Sequence, residues 1–170
     1  MRGKWAAGIA PKHFTWIFKD SLAVSERPGG FTANHRRVRR QEEIIWLESQ
    51  QFTKIVSLLG TPHNLAAYDE HRLASSSFDI PLIGDPHEAL LACFMELNRS
   101  LAAGAKILLH HDELSDVTLG VVAGFLVWSH KASSGPQAIA ITERLTTRPL
   151  GPVARTLVAA SLELEPAPSA

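Results

Sequence analysis

Short apolar runs closed by glycine and proline alternate along this chain with longer segments of helical period, an alternation that restricts it to layered α/β folds. Phe14 to Lys19 and Ser21 to Ser25 read as two short strands, and Arg27-Pro28-Gly29-Gly30 after them is a strong turn signal, so the chain opens on a hairpin. From Asn34 to Phe52, Val38, Ile44, Ile45, Leu47 and Phe52 recur among charges at helical spacing and predict an amphipathic helix. Lys54 to Leu59 then reads as a buried strand ended by Gly60-Thr61-Pro62. Leu65 to Arg72 reads as a short helix and Phe78 to Ile83 as a strand closed by Gly84. Asp85 as N-cap and Pro86 as first helical residue open a helix to about Ala103, with Ala89, Leu90, Cys93, Leu97 and Leu101 on one face. Cys93 is therefore expected in the core.

Ala105 to Leu109 is the next apolar run, followed by a polar segment, His110 to Asp116, and an apolar helix to Trp128. Helices over Pro136 to Thr147 and Pro152 to Leu164 complete the pattern, each opened by Gly-Pro. The expected organisation is an N-terminal arm over residues 1–12, a single α/β domain over 13–164 and a flexible tail over 165–170. A composition of 45% hydrophobic and 20% charged residues in a chain of 170 suits a globular domain of this size. Seventeen basic residues balance 17 acidic ones, which removes the global charge footprint of a nucleic-acid binder. The lone Cys93 excludes an internal disulfide, and no apolar run reaches spanning length; both fit a soluble, cytoplasmic protein.

In open α/β folds, ligands bind at the carboxyl ends of the strands, where helix N-termini present backbone N–H groups. Two loops qualify, Gly84 to Pro86 and His110 to Thr118. With these in place the chain resembles the cysteine-based protein phosphatases of the dual-specificity and tyrosine phosphatase-like branch, from about Trp16 to Val158. The resemblance runs through SLAVSERPGG, EEIIWLESQQFTKIVSLLG, FDIPLIGD and LAAGAKILLHH. It implies a central sheet of four to five mainly parallel strands flanked by helices, with the active-site loop at HHDELSDVT.

The signature loop departs from the pattern that the resemblance implies. The family requires His-Cys, five residues, then Arg and Ser or Thr: the thiolate attacks phosphorus while the guanidinium fork and loop amides hold the phosphoryl oxygens. Here His110 stands at the lead position, His111 at the nucleophile, Leu114 at the mid-loop glycine and Val117 at the arginine; Thr118 alone matches at the end. Asp112, Glu113 and Asp116, with Ser115 between them, add three carboxylates in or beside a cradle meant for a dianion. Each carboxylate about 6 Å from a phosphate dianion costs on the order of 1 to 5 kcal/mol. An alternative role for them is structural, since acidic side chains at a helix N-terminus meet unpaired N–H groups and the positive end of the dipole.

These substitutions lead to an expected pseudophosphatase: a catalytically inactive binding, regulatory or assembly module that needs no cofactor or metal, takes a protein partner and favours a basic peptide over a phosphorylated one. The competing expectation is an atypical phosphohydrolase with His111 as nucleophile and Asp85 near the general-acid position. Adjacent residues of a strand point to opposite faces, so His110 and His111 do not ligate one metal ion together. Asp85 has a simpler role as a helix cap. Trp5, Trp16, Trp46 and Trp128 leave open a third role, as a structural subunit.

The densest charge lies elsewhere, at His35-Arg36-Arg37-Val38-Arg39-Arg40. Arginines at a helix start oppose its dipole, and Glu42 and Glu43 are spaced to relieve part of that cost by pairing with Arg39 and Arg40. Arg36, Arg37, Arg39 and Arg40 are either a solvated face or a docking site for an acidic protein, a nucleic acid or a phosphorylated ligand.

Overall fold

The computed structural model describes residues 8–31, 33, 35–61 and 64–169. Trp5 and most of the arm, together with Asn34, Pro62 and Ala170, lie outside the described residues. The described residues gather into two compact units, one drawn from Met1–Ser77 and Gly104–Leu114, the other from Phe78–Ala103 and Ser115–Ala170.

The first unit is built on strands β1 (Thr15–Phe18), β2 (Leu22–Ser25), β3 (Lys54–Ser57), β4 (Ala74–Ser77) and β5 (Ile107–His110), with helices α1 (Arg37–Ser49) and α2 (Leu65–Glu70). The strands form one sheet in the order β1-β2-β5-β3-β4. β1 pairs antiparallel with β2, and the remaining pairs are parallel. The expected mainly parallel central sheet is thus present, with the opening hairpin supplying its antiparallel edge. Central strands β2, β3 and β5 are apolar because both faces are covered, as parallel sheets require. Their core joins Ala23, Ile55 and Leu108 to Ile44 and Leu47 of α1, with Phe52, Tyr68 and Leu73. Trp16 stacks on Phe52 at 5.6 Å between ring centroids, and Phe14 meets both Trp16 and Trp46 edge-on. Lys106 closes this group, with its ammonium 5.3 Å from the Trp16 ring and donating to Gln50 O at 2.6 Å. Trp16 and Trp46 therefore serve packing.

Two expectations need correction here. The strand expected over Phe78 to Ile83 lies earlier, at Ala74–Ser77, whose small polar residues need no apolar signal because β4 is an edge strand paired with β3 alone. Within the expected run, Ile80 is buried, whereas Ile83 is 93% exposed. Val38, assigned to the apolar face of the first helix, is 71% exposed, and α1 buries Glu43, Ile44 and Leu47 instead.

The second unit holds α3 (His87–Ala102), α4 (Asp116–Trp128), α5 (Gly135–Thr146) and α6 (Pro152–Leu162). α4 is apolar on every side and almost wholly buried, as a central helix must be. Its glycines admit α6 at close range: a Cβ on Gly120 would lie 2.7 Å from Ala154 Cα, and one on Gly124 would lie 2.2 Å from Ser161 Oγ. Phe94, Phe125 and Trp128 pack together with centroids 5.6–6.2 Å apart. Residues past α6 return to α4, where Trp128 Nε1 donates to Glu165 O at 2.7 Å and Ala167 N to Trp128 O at 3.1 Å. No helix among the described residues is long and apolar enough to cross a membrane.

Candidate functional site

The three central parallel strands change character at their carboxyl ends, where Ser25 and Ser57 flank His110 in register across the sheet. His110 is fully buried. Its Nδ1 lies 3.0 Å from the carbonyl of His111 and acts as donor there, so Nε2 is left to accept from the Tyr68 hydroxyl at 3.5 Å. Tyr68 accepts from Asn64 Nδ2 at 3.4 Å, and that amide also donates to Pro28 O at 2.8 Å. Burial pushes the Tyr68 phenol up to about 12, keeping it a neutral donor. His110 thereby ties the loop after β5 to α2 and to the turn after β2.

The nine residues of the signature stretch divide between the two units. In the first, Asp112 O accepts from Arg27 N at 3.1 Å and the Asp112 carboxylate lies 3.6 Å from Arg27 Nη1, so the cation after β2 offsets it. His111 is half-buried, Glu113 is exposed and Leu114 is 3% exposed. In the second, Ser115 holds the N-cap position of α4 without a side-chain capping bond, and its Oγ has no partner among the described residues. Val117 and Thr118 are buried.

Asp116 answers the charge question differently from either expectation. Its carboxylate neither faces a phosphate cradle nor caps α4. It accepts from Gly151 N at 2.7 Å and Ala154 N at 2.8 Å, the first orphan donors of α6. Gly151-Pro152 opens that helix without a capping side chain of its own, and Asp116 supplies one from another element.

The assigned helix begins at His87, but Pro86 already has helical angles and Asp85 fills the expected capping role. Asp85 Oδ1 accepts from His87 N at 2.9 Å and also touches His87 Nδ1, while His87 Nε2 lies 2.6 Å from Glu163 Oε2. The backbone and ring bonds from His87 hold the Asp85 carboxyl below its ordinary range. That is the wrong direction for a general acid at neutral pH. His87 itself is raised, first by Asp85 and then by Glu163. Sequence periodicity does not single out His87.

The arginine run separates by depth. Arg36 and Arg37 are exposed, whereas Arg39 and Arg40 are half-buried. Arg39 donates to Glu43 Oε1 at 2.5 Å and reaches Glu26 Oε1 at 3.2 Å. Burial works against the Arg39 charge, but Glu43 and Glu26 more than offset it and raise its pKa. Burial pushes Glu43 up, against the pull of the Gly29 N–H at 2.7 Å and of Arg39. Arg40 donates to neutral Asn64 Oδ1 at 3.4 Å. Glu42, expected to share in the pairing, leaves its Oε2 buried without a hydrogen-bond partner among the described residues. Cys93 is fully buried, with its thiol pushed up to about 12 by burial, and no three His, Cys, Asp or Glu side chains among the described residues converge as a metal site.

A five-stranded mixed sheet whose strand β5 runs through this loop into α4 is the architecture of the dual-specificity and tyrosine phosphatases, and solved structures of that class match it. Tk-PTP in its active form aligns with a TM-score of 0.70 and 19% identity, covering 89% of this chain and 96% of that one. Kinase associated phosphatase with its catalytic-site cysteine changed to serine aligns with a TM-score of 0.72 and 20% identity, covering 88% and 93%. Human DUSP28 gives 0.66 and 14%, covering 91% and 96%. At these identities the likeness is one of fold. No family model and no curated protein matches the sequence.

Proposed function

We propose that this phosphatase-fold protein has no cysteine-phosphatase chemistry and works by binding a protein partner through the rim of its altered loop. The observation that carries this reading is the pair of substituted positions. His111 stands where the fold's enzymes place a thiolate, and Val117, 6% exposed, stands where they place the guanidinium fork. A buried isopropyl group holds no phosphoryl oxygen, and loss of a charged hydrogen bond forgoes about 1.5 to 3 kcal/mol of phosphate affinity.

The Asp85 carboxylate is already engaged by His87, accepting from its N–H at 2.9 Å and touching its Nδ1, which supports the same reading against a free general acid. The preference for a basic over a phosphorylated peptide rests on Glu113 and Asp112, since Asp116 is engaged at α6 and Arg27 offsets part of Asp112. The test is hydrolysis of an aryl phosphate by the full chain at high concentration, beside His111→Ala, with and without a chelator. Neither protein is expected to exceed background. Turnover abolished by His111→Ala sinks the proposal in favour of histidine chemistry, and turnover abolished by the chelator sinks it in favour of a metal.

A further inference from the structure

The start of α1 carries more positive charge than its surroundings use. Arg36, Arg37, Arg39 and Arg40 stand at or next to its first turn, with no acidic residue there and no side-chain cap. The dipole makes this an unfavourable place for cations unless an anion is present. Arg39 is accounted for by Glu43 and Glu26. Among the described residues, Arg36 reaches the carbonyls of Ala33 and His35, and Arg40 reaches the neutral Asn64 amide.

Two further nitrogens nearby lack partners. Arg27 Nε and His35 Nε2 are both buried without a hydrogen-bond partner among the described residues, while Arg27 Nη1 lies 3.6 Å from Asp112 Oδ1 and Glu43 accepts from Gly29 N at 2.7 Å beside them. Donors buried without a match are destabilising. They belong to one neighbourhood, gathered over the turn Arg27-Pro28-Gly29-Gly30. That turn closes with Gly30 N donating to Arg27 O at 2.9 Å, and Gly29 sits at φ +88°. A Cβ on Gly29 would fall 2.5 Å from Arg40 Cβ and 3.0 Å from His35 Nε2, so glycine is what lets these two side chains close over the backbone. The His35 imidazole is lowered first by burial and then by Arg27 and Arg40, against a side-chain hydrogen bond with Asn64 that raises it.

We propose that Arg27, His35 and Arg40 form a binding site for a phosphoryl dianion, with Arg36 and Arg37 at its outer rim. The ligand class follows from the donors: two planar guanidinium groups and an imidazole N–H suit a tetrahedral oxyanion with several acceptor oxygens. A free phosphate and a phosphorylated side chain share that chemistry. The site does not use His111, Val117 or the amides of α4, and its existence is independent of whether the altered loop hydrolyses anything.

The test is a titration of the full chain with inorganic phosphate at constant ionic strength, followed by backbone amide and histidine ring NMR. Saturable shifts are expected at residues 27–29 and 35–40 and on the His35 ring. Arg40→Gln and Arg27→Gln should each weaken binding at least fivefold, Arg40→Lys should weaken it less, and Arg99→Gln on the surface of α3 should leave it unchanged. If a variant does not fold, as judged by its amide spectrum, His35→Gln carries the same expectation. A phosphotyrosine peptide and its unphosphorylated form then distinguish the sources. Movement of the same resonances by the phosphopeptide alone assigns the site to a phosphorylated partner, and movement by inorganic phosphate alone assigns it to the free ion. The proposal is overturned if phosphate produces no saturable shift, if the shifts survive Arg27→Gln and Arg40→Gln together, or if they centre on residues 112–118. An aryl-phosphate assay that detects turnover leaves this titration unaffected, so either proposal can fail alone.

Discussion

Asp116 offers the sharpest discrimination between a carboxylate that repels phosphate and one that holds the fold. Its two oxygens each accept a backbone N–H, at 2.7 Å from Gly151 and 2.8 Å from Ala154, and both bonds are charge-assisted. Asp116→Ala removes both and leaves the first turn of α6 uncapped. Loss of a cap costs about 0.5 to 2 kcal/mol, and a single hydrogen bond to a charged group contributes about 1.5 to 3 kcal/mol. The freed amides recover part of that from water because the position is half-buried, so the expected net loss is about 2 kcal/mol. For a domain of this length that corresponds to a fall in melting temperature of about 4 to 8 °C. Asp116→Asn keeps one acceptor oxygen and should lose about half as much. The assay is thermal unfolding at pH 7 by circular dichroism, with exposed Glu113→Gln as the control, expected to stay within about 0.5 kcal/mol of the parent chain. A melting temperature unchanged in Asp116→Ala, combined with new phosphate affinity at residues 112–118, would refute the capping role and restore Asp116 as an anion-excluding group.

Three further outcomes follow from the geometry. Gly124→Ala drives a methyl group to 2.2 Å from Ser161 Oγ and 3.0 Å from Phe94 Cζ and should destabilise the chain by about 1 to 3 kcal/mol in urea unfolding; Ser161→Gly in the same chain should recover part of the loss, and full additivity would argue against direct contact. Cys93, with its thiol pushed up to about 12 and its side chain buried, should resist iodoacetamide at pH 8 in the folded chain and react fully in urea; rapid native labelling would contradict its core position. His87 should titrate by NMR above its ordinary value of 6.5, because Asp85 and Glu163 favour its charged form. Its folded pKa is raised, so its stabilising contribution is complete below the unfolded value and is lost as pH rises through the folded one. Glu163→Gln should lower the midpoint, and a midpoint at or below 6.5 in the parent chain would remove the clamp.

The parts of the fold that sequence reading captures are those in which burial writes a period into the residues. The opening hairpin, the α3 face through Leu90, Cys93 and Leu97, and the all-apolar α4 belong here. β4 is invisible because Ala74–Ser77 is an edge strand held by backbone pairing with β3, which leaves no apolar signature. Phe78 to Ile83 misleads for the opposite reason: it has strand composition, yet Leu82 and Ile83 face solvent. The departures of the stretch His110 to Thr118 from the phosphatase signature are readable because they lie in one continuous stretch, and the bond from Asp116 to α6 is not, since it spans 35 residues to Gly151. The contacts of Asn64, Tyr68 and His87 are likewise hidden, because elements distant in the chain must fold together before their polar atoms meet.

A chain with zero formal net charge can still hold strongly unequal local potentials, and here the inequality is informative. In an active phosphatase, positive groups gather at the loop between the central strand and its following helix, where the reacting phosphate sits. In this chain that loop carries carboxylates and a buried valine, while unpaired guanidinium capacity lies at the β2 turn and the start of α1. Within the first unit alone, Asp112 and Glu113 follow β5 while Arg27 and Arg40 border the Gly29 turn, and the 3.6 Å contact of Arg27 with Asp112 joins the two regions. A partner that presents a basic segment near a phosphorylated residue matches both charges, whereas a bare polyanion meets repulsion from Asp112 and Glu113. On the two proposals taken together, a partner that carries both charges is selected more sharply than by either attraction alone.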